Sequence, residues 1–164
     1  MANILKQKLK HGIFSFYDND KYVGKSLSEY GEWSESEVEL IKGLVPKNEV
    51  IIEIGSNIGT HTVPLAKHLS NGGKIYAFEP QSQNHKLLMQ NIKDNSIENV
   101  KISKIAISSK EGEAYMNTFA NDKLSNYSAK VKNYEHHALA VSNTRLLGLC
   151  REAAPCSTKS RSCH

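Results

Sequence analysis

The 164-residue chain is predicted to adopt an α/β fold: three parallel strands with helices between them, then an irregular C-terminal tail. Three observations predict it. Val50-Ile51-Ile52-Glu53-Ile54 is a β-branched run that stops at Gly55-Ser56-Asn57-Ile58-Gly59. A second run, Ile75-Tyr76-Ala77-Phe78, stops at Glu79-Pro80, with Glu79 twenty residues after Gly59. Helical periodicity fills the interval. Short apolar runs bounded by turn residues mark buried parallel strands. Glycines just past the end of such a strand let the backbone approach a ligand closely. An acid about twenty residues on, at the end of the next strand, accepts both hydroxyls of a ribose. The pattern is that of a nucleoside-binding βαβ unit.

The elements follow in order. Residues 1–33 are mixed, with Ile13-Phe14-Ser15-Phe16-Tyr17 alternating as a short strand and Asp18-Asn19-Asp20 as a turn. Ser34-Glu35-Ser36-Glu37 has the form of a capping box. Val38, Ile41, Leu44 and Val45 then share one helical face, and Pro46-Lys47-Asn48 stops the helix. The first parallel strand is residues 49–54. A helix over residues 60–70 tolerates Pro64 in its first turn and turns Val63, Ala66 and Leu69 to the sheet. Asn71-Gly72-Gly73 ends it. Residues 74–78 form the second strand, and residues 83–95 a helix burying Leu87, Leu88 and Ile92. Residues 100–107 form the third strand, and residues 114–119 a fourth after the Lys110-Glu111-Gly112 turn.

The acid inside the first strand narrows the ligand. Glu53 gives Glu-x-Gly-x-Asn-x-Gly, with Asn57 in place of the third-position glycine of the dinucleotide pattern Gly-x-Gly-x-x-Gly. A carboxylate beside a diphosphate is unfavourable, whereas beside an ammonium or sulfonium it is favourable. S-adenosylmethionine carries both cations, a ribose and no phosphate, and is favoured over NAD. An NAD-linked oxidoreductase is the alternative. Gly55 and Gly59 make the loop under the ligand together with Ser56. Glu53 faces the ammonium, and Asn57 either caps the helix or meets the ligand carboxylate. Glu79, followed by Pro80, takes the ribose, because charge-assisted hydrogen bonds are the strong ones.

These residues resemble a known family. Val50 to Gly59, Phe78-Glu79-Pro80, Asn95-x-x-x-Asn99-Val100 and Ala106-Ile107-Ser108 are similar to the FkbM-type methyltransferases, as is the approach through Tyr30-Gly31-Glu32-Trp33-Ser34. The resemblance runs over residues 22–119. It implies a Rossmann-like class I methyltransferase fold and O-methylation of a saccharide or other hydroxylated small molecule. Ala106 and Ile107 stand at the end of the third strand, where many class I enzymes carry an acid, and form either an apolar wall for the adenine or a plain buried strand end. Transfer to a hydroxyl needs a general base. His61, His85, His136 and His137 are available, spacing assigns none of them, and the catalytic residue is unknown. His61 and Trp33 border the acceptor side or serve packing.

Length allows one domain of ordinary size. No apolar run approaches the roughly 20 residues of a membrane span, and Met1 to Lys8 lacks the apolar core of a signal peptide, so a cytoplasmic protein is expected. The net charge of +4 is too small and scattered to argue for nucleic acid, and none is expected as partner. No metal site is expected: Cys150, Cys156 and Cys163 match no zinc pattern. All arginines (Arg145, Arg151, Arg161) and all cysteines lie in the last 20 residues. The domain is therefore expected at 1–120, with its core at 48–119. Residues 121–164 are an atypical tail, explained by frameshift, truncation or fusion. No acid follows an apolar run after Tyr115, so the second half of the sheet is missing from the reading. The first strand would then keep a bare edge, an aggregation template. Such an edge points to a homodimer, to a non-catalytic interaction fragment, or to an inactive remnant.

Overall fold

The computed structural model describes residues 2–108, 112–117 and 134–142. The chain opens with an antiparallel hairpin, β1 (Ile4–Leu9) and β2 (Gly12–Tyr17), and two helices, α1 (Val23–Tyr30) and α2 (Glu35–Leu44). The central unit is β3 (Val50–Ile54), α3 (Thr62–His68), β4 (Lys74–Phe78), α4 (Ser82–Asp94) and β5 (Val100–Ser103). Its strands pair in the order β3-β4-β5, all parallel, with Glu53 opposite Ala77 and Phe78 opposite both Ile54 and Ser103. A further sheet of order β6-β8-β7 follows, from β6 (Ile105–Ser108), β7 (Gly112–Asn117) and β8 (Tyr134–Ser142).

Strand periodicity divides β4 between two apolar clusters. Ile75 and Ala77 join Val63, Leu87, Leu88 and Ile92 in the main core, which the hairpin closes with Phe14 and Phe16. Tyr76 and Phe78 face the other way, against Ile105 and Ile107 of β6. Val63, Ala66 and Leu69 are all buried, as the helical spacing requires. Among the described residues β3 pairs with β4 alone, and Val50, Ile52 and Ile54 stand exposed.

Five local expectations are corrected. The third strand is broken at Lys104, because the parallel ladder closes where Glu79 N donates to Ser103 O and the chain then turns onto the Tyr76–Phe78 face. The Ser34 capping box does not form: Ser34 is left-handed (φ 52) and its side chain caps nothing, while its carbonyl accepts from Glu37 N and Val38 N. Leu44, at the helix end, is 72% exposed and leaves the apolar face. Residues 1–33 hold a full hairpin and helix α1 rather than one short strand. The fourth strand runs over Gly112–Asn117, two residues earlier than expected, and residues 118 and 119 lie outside the described residues. Within the expected tail, Tyr134–Ser142 is a strand pairing parallel with β6; residues 143–164, with all three cysteines, lie outside the described residues. No helix among the described residues is long and apolar enough to cross a membrane.

Candidate nucleoside site at the carboxyl edge of the parallel sheet

Where β3 ends, the chain folds at once over the end of β4. Gly55 N and Ser56 N both donate to Phe78 O, at 2.8 and 3.1 Å, and Gly59 N returns to Ser56 O at 2.9 Å. This tight path needs left-handed backbone at Gly55 (φ 81), Asn57 (φ 50) and Gly59 (φ 91). The two glycines serve different ends. A Cβ at Gly55 would meet nothing within 4 Å, so the backbone there lies open to an approaching molecule. A Cβ at Gly59 would sit 2.7 Å from Leu88 Cδ1, so that glycine lets the loop pack on α4.

Two carboxylates converge on this loop. Glu79 is buried, and its oxygens accept backbone hydrogen bonds from Asn57 N (2.9 Å) and Gln81 N (2.8 Å). Each oxygen keeps a second lone pair, so the amides fix the carboxylate without exhausting it. Burial nonetheless pushes its pKa up, opposed by those two amides. Glu53 is half-buried and accepts from Thr62 Oγ1 at 2.7 Å. Burial pushes its pKa up to about 7, with the Glu79 charge adding to the rise and the Thr62 and Ser56 hydrogen bonds opposing it. Two acids held against ionisation at one edge form a place where a cation would be favourably bound.

Other expected residues lie as follows. Asn57 caps no helix, since α3 begins at Thr62 with His61 before it. Ser56 is buried beneath the loop and Pro80 is half-buried behind Glu79. Ala106 and Ile107 lie within β6, where Ile107 packs on the Tyr76–Phe78 cluster, and they make no part of the hydrogen-bonded group around Glu79. His61 Nε2 stands 3.4 Å from Glu37 Oε2, between α2 and α3, with its pKa lowered by burial against the pull of Glu37. His85 is lowered by burial and by Lys104. Trp33 packs on the main core. His136 and His137 belong to β8, where side chains are not described.

Sequence reasoning overlooked Thr62 and Asn91. Thr62, fully buried, was one residue among a helix start; its place nine residues after Glu53 was the available signal. Asn91 donates to Ile58 O at 2.8 Å and is fully buried on α4. The only trace of it in the sequence is the four-residue spacing to Asn95.

A pH prediction arises from Glu53. Its folded pKa lies above the ordinary value of 4.5, at about 7, so the folded state binds more protons between those limits. Stability is then fullest below about pH 4.5 and falls as pH rises to about 7, with Glu79 acting in the same direction. Thermal midpoints measured across this range should fall more steeply for the wild type than for Glu53→Gln. Parallel profiles would contradict the buried-acid assignment.

Comparison with known proteins places this geometry. Residues 28–147 match the TRM5/TYW2 methyltransferase domain family. A curated relative, the tRNA(Phe) (4-demethylwyosine(37)-C(7)) aminocarboxypropyltransferase of Methanocaldococcus jannaschii, is 35% identical over 71 residues, 42% of this chain. The chain spans 28% of that relative's length. M. jannaschii TYW2, solved in complex with AdoMet, is 25% identical over 62% of this chain and 43% of its own, with a TM-score of 0.46. aTrm5, solved in complex with tRNALeu, is 20% identical over 62% of this chain and 28% of its own, also at 0.46.

Two expectations are overturned. The FkbM resemblance gives way to the TRM5/TYW2 match over residues 28–147. The expected saccharide or small-molecule acceptor with no nucleic acid gives way as well: the curated relative is named for action on tRNA. The expected S-adenosylmethionine cofactor stands with the methyltransferase family match, and the partial Rossmann-like fold with the parallel β3-β4-β5 sheet. With its parallel β3-β4-β5 sheet and a match over residues 28–147, this chain belongs to the TRM5/TYW2 methyltransferase domain family.

Proposed function

We propose that this chain supplies the cofactor-binding part of an S-adenosylmethionine-dependent enzyme that modifies a nucleoside of tRNA. The observation that carries the reading is the convergence of Glu53 and Glu79 on the Gly55–Gly59 loop, with Gly55 open to solvent. A ligand with a cation and a ribose suits that pair, and the raised pKa of Glu53 is what a bound cation would relieve. In this reading Glu79 accepts from the ribose hydroxyls through its free lone pairs, and Asn57 N holds it in place. Glu53 attracts the ammonium end, oriented by Thr62. Ser56, Gly59 and Pro80 shape the loop around them. When bound, the sulfonium supplies an activated carbon for in-line displacement, and positioning provides much of the acceleration.

The tRNA part of the proposal comes from the family and its curated relative. The cofactor-binding unit is residues 1–120 with its core at 48–119, while the family match runs on to residue 147. A cytoplasmic setting belongs to the same reading. The relatives' names include both methyl and aminocarboxypropyl transfer. Methyl transfer leaves S-adenosylhomocysteine, whereas aminocarboxypropyl transfer leaves methylthioadenosine, so the released thioether tells the two apart. The test is incubation with S-adenosylmethionine and unfractionated tRNA, reading modified RNA and thioether together. Modification lost in Glu79→Ala is the expected result. A folded chain that modifies no RNA would contradict the assignment of tRNA as substrate.

A further inference from the structure

The N-terminal hairpin precedes the segment matched by the family, yet it is fastened to the ligand loop. The fastening is made by two side-chain amides of α4. Asn95 accepts from Ile13 N at 3.1 Å through Oδ1 and donates to Ile13 O at 2.7 Å through Nδ2. One helical turn earlier, Asn91 accepts from Ser15 N at 2.7 Å and donates to Ser15 O at 3.1 Å. Residues 13 and 15 of a strand send their amides and carbonyls to the same edge. Their spacing, about 6.6 Å, comes close to one turn of helix, about 5.4 Å. Two carboxamides thus fill the strand edge that a third strand would otherwise occupy.

Asn91 does one thing more. Its second N–H donates to Ile58 O at 2.8 Å, inside the loop, between Asn57, whose N–H holds Glu79, and Gly59. The side chain is 0% exposed and all of its donors and its acceptor oxygen are engaged, two bonds on the hairpin and one on the loop. Asn95 reaches Ile13 and its own helix and accepts from Lys67 Nζ of α3 at 3.0 Å, with no bond to the loop.

We propose that Asn91 is a positioning residue for cofactor binding, and that through it the N-terminal hairpin acts as a support of the nucleoside loop. This rests on the reading of that loop as the cofactor site. A buried network whose members are all satisfied rigidifies its surroundings, and removing one donor frees the groups it held. Asn91→Asp keeps the acceptor for Ser15 N and loses both donations, to Ser15 O on the hairpin and to Ile58 O in the loop. Asn95→Ala loosens the hairpin and leaves the loop bond intact.

The pair of variants separates positioning from mere stability. S-adenosylhomocysteine affinity is measured by calorimetry at a temperature where circular dichroism shows each chain folded. Amide exchange at residues 57–59 is followed in parallel without ligand. The expected result is an affinity at least tenfold weaker in Asn91→Asp with faster exchange at those amides, against a change under threefold in Asn95→Ala despite a lower thermal midpoint. Equal effects of the two variants, or none on the loop, would overturn the proposal. If the wild type bound no S-adenosylhomocysteine, the function reading would fail, while the exchange data would still decide whether Asn91 orders the loop. Should Asn91→Asp not fold, the wild type alone decides by native-state exchange. The amides of Ser15 and of residues 57–59 should open together across a denaturant series, and independent opening would contradict the linkage.

Discussion

Replacing Glu79 with alanine should weaken S-adenosylhomocysteine binding by roughly 1.5–3 kcal/mol, the usual size for hydrogen bonds to a charged group. That corresponds to about a 10- to 150-fold loss of affinity. The same change should lower stability, because the Asn57 and Gln81 amides lose their acceptor inside a buried site. An unsatisfied buried donor costs about 1–3 kcal/mol, less where water enters the space. Glu79→Gln is the informative companion. It keeps one oxygen acceptor but turns an NH2 group toward the other amide, so either Asn57 N or Gln81 N loses its acceptor. Binding by calorimetry and unfolding by denaturant separate the two effects. Wild-type affinity in Glu79→Ala would remove the ribose assignment.

The largest effect on stability is expected at Gly59. Valine there would hold a β-branched residue at φ 91 and press its Cβ to within 2.7 Å of Leu88 Cδ1. Left-handed backbone costs a non-glycine residue about 1–2 kcal/mol. Overpacking a filled core adds about 1–3 kcal/mol. Against a total stability of about 5–15 kcal/mol, this is a large part of the fold. The thermal midpoint should fall by about ten degrees or more. Leu88→Ala should soften the penalty, since it removes the atom in the way, and a double-mutant cycle reads that coupling. Gly55 gives the contrast. Its φ is 81 but a Cβ there meets nothing, so alanine should cost the backbone strain alone while closing the approach to the loop. Equal destabilisation at both glycines would contradict this division of roles.

The sequence made the sheet legible because its strands are buried runs with hard stops. Lys74–Phe78 is the strand expected, and Val50–Ile54 begins one residue later than expected. Glu53, Asn57 and Glu79 are brought together by the register of two adjacent parallel strands, which local pattern encodes. Ser34 was misleading because a capping box is a local signal, and the chain enters α2 through left-handed backbone instead. The break at Lys104 corresponds to a phase shift in the alternation: Val100 and Ile102 serve the main core, while Ile105 and Ile107, after a three-residue step, serve the other face. Asn91 had no readable role at all. Its partners in β2 lie 76 residues away in sequence, and only docking of the hairpin creates them.

The family was misread for a related reason. The FkbM resemblance rested on Glu53-x-Gly55-x-Asn57-x-Gly59 and Phe78-Glu79-Pro80, whereas the TRM5/TYW2 match spans residues 28–147. Residues that would report an acceptor lie outside these motifs. A net charge of +4 gave no hint of RNA, because net charge averages away any basic face that would meet phosphate.

Calorimetric titration of the purified chain with S-adenosylhomocysteine tests the central claim most directly, since this product binds without turnover. Saturable binding with a Kd on the order of micromolar is the predicted result. It should be abolished or strongly weakened in Glu79→Ala and absent when NAD replaces the ligand. No binding by a folded, monodisperse chain would contradict the assignment of the Glu53–Glu79 edge as the cofactor site.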